Sequence, residues 1–174
     1  MKTGLKRLLM LKAMTGKADD GNLISLSWPQ GYADPNTSSA STKRTFTPNT
    51  YIVGLSYNNT YRSNYATQIT DFSVSEEGIT FTSGTATNYG IGFVMKECSP
   101  GATYEMNFDG HSTGNARISW YAEDGAFISY SDSTNSTKQV TAPANAATAI
   151  FCTYSAATNT TYTYTDVKVT KVQS

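Results

Sequence analysis

From residue 51 onward the sequence is a succession of short runs rich in Thr, Tyr, Val, Ile and Phe, and this pattern limits the possible folds most strongly. Residues that favour turns, namely Gly, Pro, Asn and Asp, separate the runs. The predicted strands span 51–56, 67–74, 78–82, 89–96, 102–108, 115–122, 126–131, 137–141, 147–154 and 161–172. Many short strands at regular spacing are typical of an antiparallel sandwich or barrel. We therefore predict an all-β protein.

The composition agrees with that prediction and also argues against disorder. The chain has 13 basic and 13 acidic residues, so its formal net charge is zero, and it contains 12 Tyr and 2 Trp. Large aromatic faces can supply the core that the scarce Leu, Ile and Val do not. Thr and Tyr fit a pleated, half-buried surface better than a helix.

Several functional classes are excluded by what the sequence lacks. A single His and two Cys cannot form a zinc motif, and Gly-rich phosphate-binding motifs and a nucleophile elbow are absent. No apolar run approaches the roughly 20 residues of a membrane-spanning helix. Zero net charge gives no general attraction to nucleic acid. We expect no enzymatic activity, no cofactor, and neither a nucleic acid nor a membrane as a partner.

The N-terminal region differs from the rest of the chain in charge and in leucine content. Residues 1–17 carry five basic residues and no acid, and six of the seven Leu precede residue 27. We predict that residues 1–27 form a basic, Leu-rich anchoring arm with a short helix. Its predicted contacts with an assembly are Leu5, Lys6, Arg7, Leu8, Leu9 and Leu11. A secretion signal and a helix folded onto its own domain remain alternatives, although Lys12 interrupts the apolar stretch.

A linker is predicted between the arm and the β-domain. Residues 28–50 contain three of the five Pro and a run of Ser, Thr and Asn, which favours an extended chain. The predicted organisation is therefore an arm (1–27), an extended linker (28–50) and a β-sandwich domain (51–174).

Alternation along the strands predicts which side chains face the core. Trp120 shares a face with Ile118 and is predicted to be buried, whereas Arg117 and Tyr121 are predicted to point to solvent. Tyr162 and Tyr164 are likewise predicted to be exposed, opposite two valines. Aromatic faces with planar polar groups suit sugar recognition. The candidate sugar-binding residues are Arg117, Tyr121, Tyr162 and Tyr164, although exposed Tyr also favours strand geometry and protein contacts.

Acidic residues in turns give a weaker indication of a site. Asp109, Asp124 and Asp166 could supply oxygen ligands to Ca²⁺, but acids beside Gly are commonly turn formers. We therefore predict no metal site. A glycoside hydrolase would need two carboxylates across one cleft, which the sequence does not indicate.

Part of the β-domain resembles a known group of domains. Residues 101–169 contain GATYEMNFDG, ARISWYAEDGAFISYS, VTAPANAATAIFCTY and TYTDVKV in this order. This resembles the second half of jelly rolls of the carbohydrate-binding-module type, where a G-x-T-Y strand, a W-Y-x-x-D-G hairpin, an a-P-x-x-A turn and a final D-V strand recur. The resemblance implies an antiparallel, jelly-roll-like β-sandwich.

The N-terminal residues MKTGLKRLLMLKAMTGK resemble the starts of virion proteins of tailed phages that infect Gram-positive gut bacteria. The resemblance implies a structural virion protein of the capsid-decoration or short head- or tail-fibre type, made in the bacterial cytoplasm. There, Cys98 and Cys152 are expected to be free thiols. Implied partners are other virion proteins, held through the arm, with a homotrimer and a host-surface glycan as further possibilities. The alternative is a free carbohydrate-binding module or adhesin domain.

Overall fold

Two antiparallel sheets of five strands each form the body of the fold. The structure is a computed structural model, and it describes residues 21–31, 36–37, 43–56, 61–62, 68–110 and 115–172. The strands are β1 Asn36–Thr37, β2 Tyr51–Ser56, β3 Tyr61–Arg62, β4 Ile69–Ser75, β5 Gly78–Ser83, β6 Tyr89–Val94, β7 Thr103–Gly110, β8 Asn115–Tyr121, β9 Phe127–Ser133, β10 Thr137–Thr141, β11 Thr148–Tyr154 and β12 Thr161–Lys171. In this part of the chain, no helix has the length and apolar character needed to cross a membrane.

The strand order confirms the predicted fold class. Sheet 1 has the order β10-β7-β12-β5-β4, sheet 2 has the order β2-β6-β11-β8-β9, and β1 pairs with β3. Most neighbouring strands are not consecutive in sequence, so the chain crosses repeatedly between the two sheets. This arrangement is typical of a jelly-roll-like β-sandwich.

The main core lies between the sheets and follows the predicted alternation in β7 and β8. Tyr104, Met106 and Phe108 face inward from β7 and are buried. Trp120 on β8 is completely buried, and the centre of its indole lies 5.7 Å from the ring centre of Tyr104. The prediction that Trp120 belongs to the core is confirmed.

Strand β12 contributes inward-facing side chains from both of its alternating sets. Tyr162 and Tyr164 are buried before a β-bulge, and Val167 and Val169 are buried after it. The bulge contains Asp166, whose φ of 51° lies in the left-handed region. An extra residue in a strand reverses which alternate positions face inward. The prediction that Tyr162 and Tyr164 are exposed is therefore wrong.

Except at its edge strand β9, sheet 2 is buried on both of its faces. Its outer face carries a second apolar cluster, and Phe46 and Phe127 pack against this cluster. The cluster consists of Ile52, Leu55, Val94, Tyr121, Ile150, Cys152 and Tyr154. Arg117 and Tyr121 do point away from Trp120, as alternation predicts. They are nevertheless 1% and 0% exposed because this second layer covers them, so their predicted exposure is wrong.

Parts of the predicted arm and linker belong to the folded domain. Leu23 and Ile24 are buried, and the Leu23 N–H donates to the Val169 carbonyl at 2.7 Å. Residues 43–50 pack on sheet 2 through the buried Arg44. The domain thus includes 21–31 and 43–50, contrary to the boundary predicted at residue 51. The six predicted arm contacts, residues 5–9 and 11, lie outside the described residues.

Candidate functional site

Two of the predicted sugar-binding residues are structural tyrosines whose hydroxyls are satisfied at one end of the sandwich. The Tyr162 hydroxyl accepts hydrogen bonds from the N–H groups of Ala156 (2.9 Å) and Ala157 (2.6 Å). The Tyr164 hydroxyl donates to the Tyr154 carbonyl at 3.1 Å. Their rings pack in the core against Phe81, so neither ring offers a face to a ligand.

Tyr121 is enclosed by the segment 43–50 on the outer face of sheet 2. The Phe46 ring meets it edge-on at 4.8 Å, and Nη1 of Arg44 donates to the Tyr121 hydroxyl at 3.2 Å. Burial raises the pKa of Tyr121 to about 12, so the phenol is protonated at neutral pH. The structure therefore places Tyr121 in packing contacts instead of at a binding surface.

Arg117, the fourth residue of the predicted set, contacts two residues that are partly exposed, Tyr130 and Asp132. Its Nη2 lies 3.0 Å from Oδ2 of Asp132, and the pair offsets the cost of burying the guanidinium. The guanidinium carbon lies 3.4 Å from the ring centre of Tyr130 and 5.8 Å from that of Tyr154. Arg117 is thereby fixed between two rings and a carboxylate.

Tyr130 and Asp132, the exposed contacts of Arg117, lie at the surface. Both lie on β9, the edge strand of sheet 2, and residues two apart on a strand share a face. Tyr130 is 48% exposed although the Arg117 guanidinium stacks on its ring. The Asp132 side chain is 40% exposed. The result is a positioned aromatic ring beside an exposed carboxylate.

A polar cavity of about 330 Å³ adjoins these residues. It is lined by Asn115, Asp132, Ser133, Thr134, Asn135 and Lys138. The Ser133 hydroxyl accepts from the Asn135 N–H at 3.0 Å, which fixes the turn after β9. The Lys138 ammonium donates to the main-chain carbonyl of Asp132. We call Tyr130, Asp132, Asn115, Asn135 and Lys138 the edge site.

The sequence prediction missed the edge site because the β8–β9 hairpin contains an irregularity. Continuing the pairing of Tyr121 with Phe127 along both strands without a shift would place Ser131 opposite Arg117. The register instead shifts between Trp120 and Tyr121, so Asp132 lies opposite Arg117. Alternation alone does not reveal such a bulge.

Among the described residues, no group of three or more His, Cys, Asp or Glu could hold a metal ion, and Asp124 pairs with Lys43 at 2.6 Å. Cys98 and Cys152 are free. Burial raises the pKa of Cys98 to about 11 and that of Cys152 to about 12, so both are protonated thiols at neutral pH.

Comparison with known proteins gives similarity in fold. No known protein family matches the sequence, and no curated protein matches it. A solved Glycosylation Associate Protein complex from Streptococcus agalactiae is 12% identical with a TM-score of 0.50, over 71% of this chain and 45% of that chain. This chain thus spans less than half the length of that one.

Two further solved structures are similar at lower scores. The enzymatically active domain of bacteriophage CBA120 tailspike protein 4 is 12% identical with a TM-score of 0.43, over 55% of this chain and 15% of that chain. A CBM4 structure is 15% identical with a TM-score of 0.38, over 60% of this chain and 77% of that chain. At these identities, similarity concerns the fold, and the streptococcal structure supports the assignment of a β-sandwich.

Proposed function

We propose that this protein is a non-catalytic, glycan-binding β-sandwich that recognises its ligand at the edge site. One observation carries the proposal: the half-exposed Tyr130 ring is held by a buried arginine whose ion-pair partner, Asp132, lines a cavity together with other polar residues. A sugar ring has an apolar face that stacks on an aromatic ring and hydroxyl groups that bond to planar polar side chains. The edge site offers both kinds of group.

The contacts beneath Tyr130 favour binding because they order the site before the ligand arrives. Arg117 is fixed by the ion pair with Asp132 and by its packing on two tyrosine rings. Preorganised side chains lose less conformational entropy when a ligand binds. A surface aromatic residue without such contacts would lose more conformational entropy on binding.

The proposed setting of this domain is the virion of a tailed phage, where it serves as a capsid decoration protein or a short head or tail fibre. The basic, Leu-rich residues 1–17 and their resemblance to the starts of virion proteins support this setting. In it, the arm binds other virion proteins and the β-sandwich faces host-surface glycans. The alternative setting is a free carbohydrate-binding module or adhesin domain.

Glycan binding by purified wild-type protein and by Tyr130→Ala tests the proposal. Loss of the aromatic anchor is expected to weaken glycan binding by about tenfold to a hundredfold. Phe72→Ala is the matched control because Phe72 is also an exposed aromatic residue, 39% exposed on edge strand β4 of sheet 1. Melting curves establish that both variants remain folded.

The binding measurements have two outcomes that contradict the proposal. The first is the absence of wild-type binding across an array of bacterial surface glycans. The second is a Tyr130→Ala variant that binds as tightly as the wild type, which would place the glycan elsewhere on the molecule.

A further inference from the structure

We infer that the edge site selects acidic saccharides, in which a carboxylate or phosphate on the sugar binds Lys138 while the ring stacks on Tyr130. This inference rests on the proposed function and specifies the class of ligand. It follows from the charges and hydrogen-bond donors of the residues around the cavity.

The strongest cation near the cavity is already neutralised. Arg117 is buried and paired with Asp132 at 3.0 Å, so together they add no net charge to the site, although the Asp132 carboxylate itself lines the cavity. Because the guanidinium also lies between the rings of Tyr130 and Tyr154, it is held beneath the surface. Arg117 therefore orders the site without setting its net charge.

Lys138 differs from Arg117 in both exposure and partner. It is exposed on β10 and lines the cavity, and its ammonium group donates to a main-chain carbonyl, that of Asp132. A carbonyl positions the ammonium group but carries no net charge to neutralise it. Arg117, Asp132 and Lys138 together therefore carry one excess positive charge, which lies on the exposed Lys138 in the cavity lining.

The other groups lining the cavity favour the same class of ligand. Asn115 and Asn135 carry amide groups, and Ser133 and Thr134 carry hydroxyls, all of which can donate to ligand oxygens. Hydrogen bonds to an ionised acceptor are stronger than those between neutral groups. A sugar with an anionic substituent would thus gain more from this cavity than its neutral counterpart.

The test uses an array of matched saccharides: glucose, galactose, mannose and N-acetylglucosamine oligomers, each with a uronic acid and a phosphorylated counterpart where these exist. Wild-type protein is expected to bind acidic members about tenfold more tightly than their neutral counterparts, since one charge-assisted contact has that magnitude. The preference should shrink at high salt. Comparing uronic acid with phosphorylated members identifies which anion is recognised.

Variants of two lysines separate the local contact from the effect of net charge. Lys138→Gln keeps a hydrogen-bond donor but removes the charge, and it is expected to lower the affinity for acidic members to that for their neutral counterparts. Lys96→Gln makes the same change in net charge at an exposed position outside the cavity lining, and it should keep the preference. Lys138→Arg should retain most of it.

The outcomes distinguish this inference from the proposed function. Equal binding of acidic and neutral members, with both lost in Tyr130→Ala, would overturn the inference and leave glycan binding in place. An acidic preference that survives in Lys138→Gln would also overturn it. If wild-type protein binds no saccharide on the array, both proposals fail.

Discussion

Buried tyrosines form much of the core of this protein, and hydrogen bonds of their hydroxyl groups explain why they can lie there. Tyr104, Tyr162 and Tyr164 keep their rings between the sheets while each hydroxyl bonds to a main-chain group. A buried tyrosine is tolerated when its polar tip finds such a partner. Because the sequence shows the ring but not the partner, tyrosine count alone does not identify a binding surface.

Alkaline pH is expected to destabilise the fold through the buried phenol of Tyr121. Its pKa is raised to about 12 in the folded protein, mainly by burial, whereas an unfolded chain releases this proton near pH 10. Between those values the unfolded state binds fewer protons, so stability falls as pH rises. The stability that the protonated phenol of Tyr121 contributes is complete below pH 10, and it is lost as the pH rises through about 12.

Urea unfolding from pH 8 to pH 12 checks this prediction with the variant Tyr121→Phe. The variant lacks the titrating group, so its midpoint should fall less steeply above pH 10 than that of the wild type. The pH 8 data give the separate cost of losing the hydrogen bond from Arg44. Parallel curves for the two proteins above pH 10 would contradict the assigned pKa.

At the level of strands, alternation predicts strand positions well and fails where a strand contains a bulge. The prediction for β10, residues 137–141, matches the structure, and the inward face of β7 follows simple alternation. In β12 and in the β8–β9 hairpin, one extra residue changes the register. Those two irregularities bury Tyr162 and Tyr164 and bring Asp132 opposite Arg117. The edge site therefore depends on a register shift that the alternation of residues along a strand does not predict.

The turn between β8 and β9 is expected to hold the segment 43–50 in place through Gly125. This glycine has a φ of 81°, and a Cβ there would lie 1.9 Å from the carbonyl oxygen of Arg44. The Arg44 N–H also donates to the Gly125 carbonyl at 2.9 Å. We expect Gly125→Ala to destabilise the protein by about 1–3 kcal/mol, since backbone strain and a clash both contribute.

Gly101→Ala is the matched control for the clash. Gly101 has a similar φ of 72°, but a Cβ there would meet nothing within 4 Å. Urea midpoints should therefore fall further for Gly125→Ala than for Gly101→Ala. Equal losses would mean that the close packing against Arg44 contributes nothing beyond the backbone conformation.

For the whole molecule, burial on both faces of sheet 2 changes which surfaces remain for assembly. The sequence predicted an exposed face with Tyr121, Tyr162 and Tyr164, which could also serve protein contacts. All three are completely buried, so that face does not exist. A trimer stays a proposal that must rest on other surfaces, and the arm becomes the main proposed contact with an assembly.

Truncations of the N-terminal region test the division between the proposed attachment segment and the folded domain. Removing residues 1–17 eliminates five positive charges and four of the seven Leu, and it keeps all the described residues of both apolar clusters. The shortened protein is expected to melt close to the wild-type temperature and to be missing from purified particles. Mass spectrometry of the particles measures its incorporation.

Removing residues 1–31 is the comparison that locates the domain boundary. This deletion also takes away the buried Leu23 and Ile24 and the hydrogen bond from the Leu23 N–H to Val169. Loss of two buried aliphatic side chains should cost several kcal/mol, about 2–5 for each as judged from large-to-small core substitutions. If the longer deletion melts like the shorter one, residues 21–31 are not part of the domain. If the shorter one still enters particles at full occupancy, attachment does not depend on the basic, Leu-rich segment.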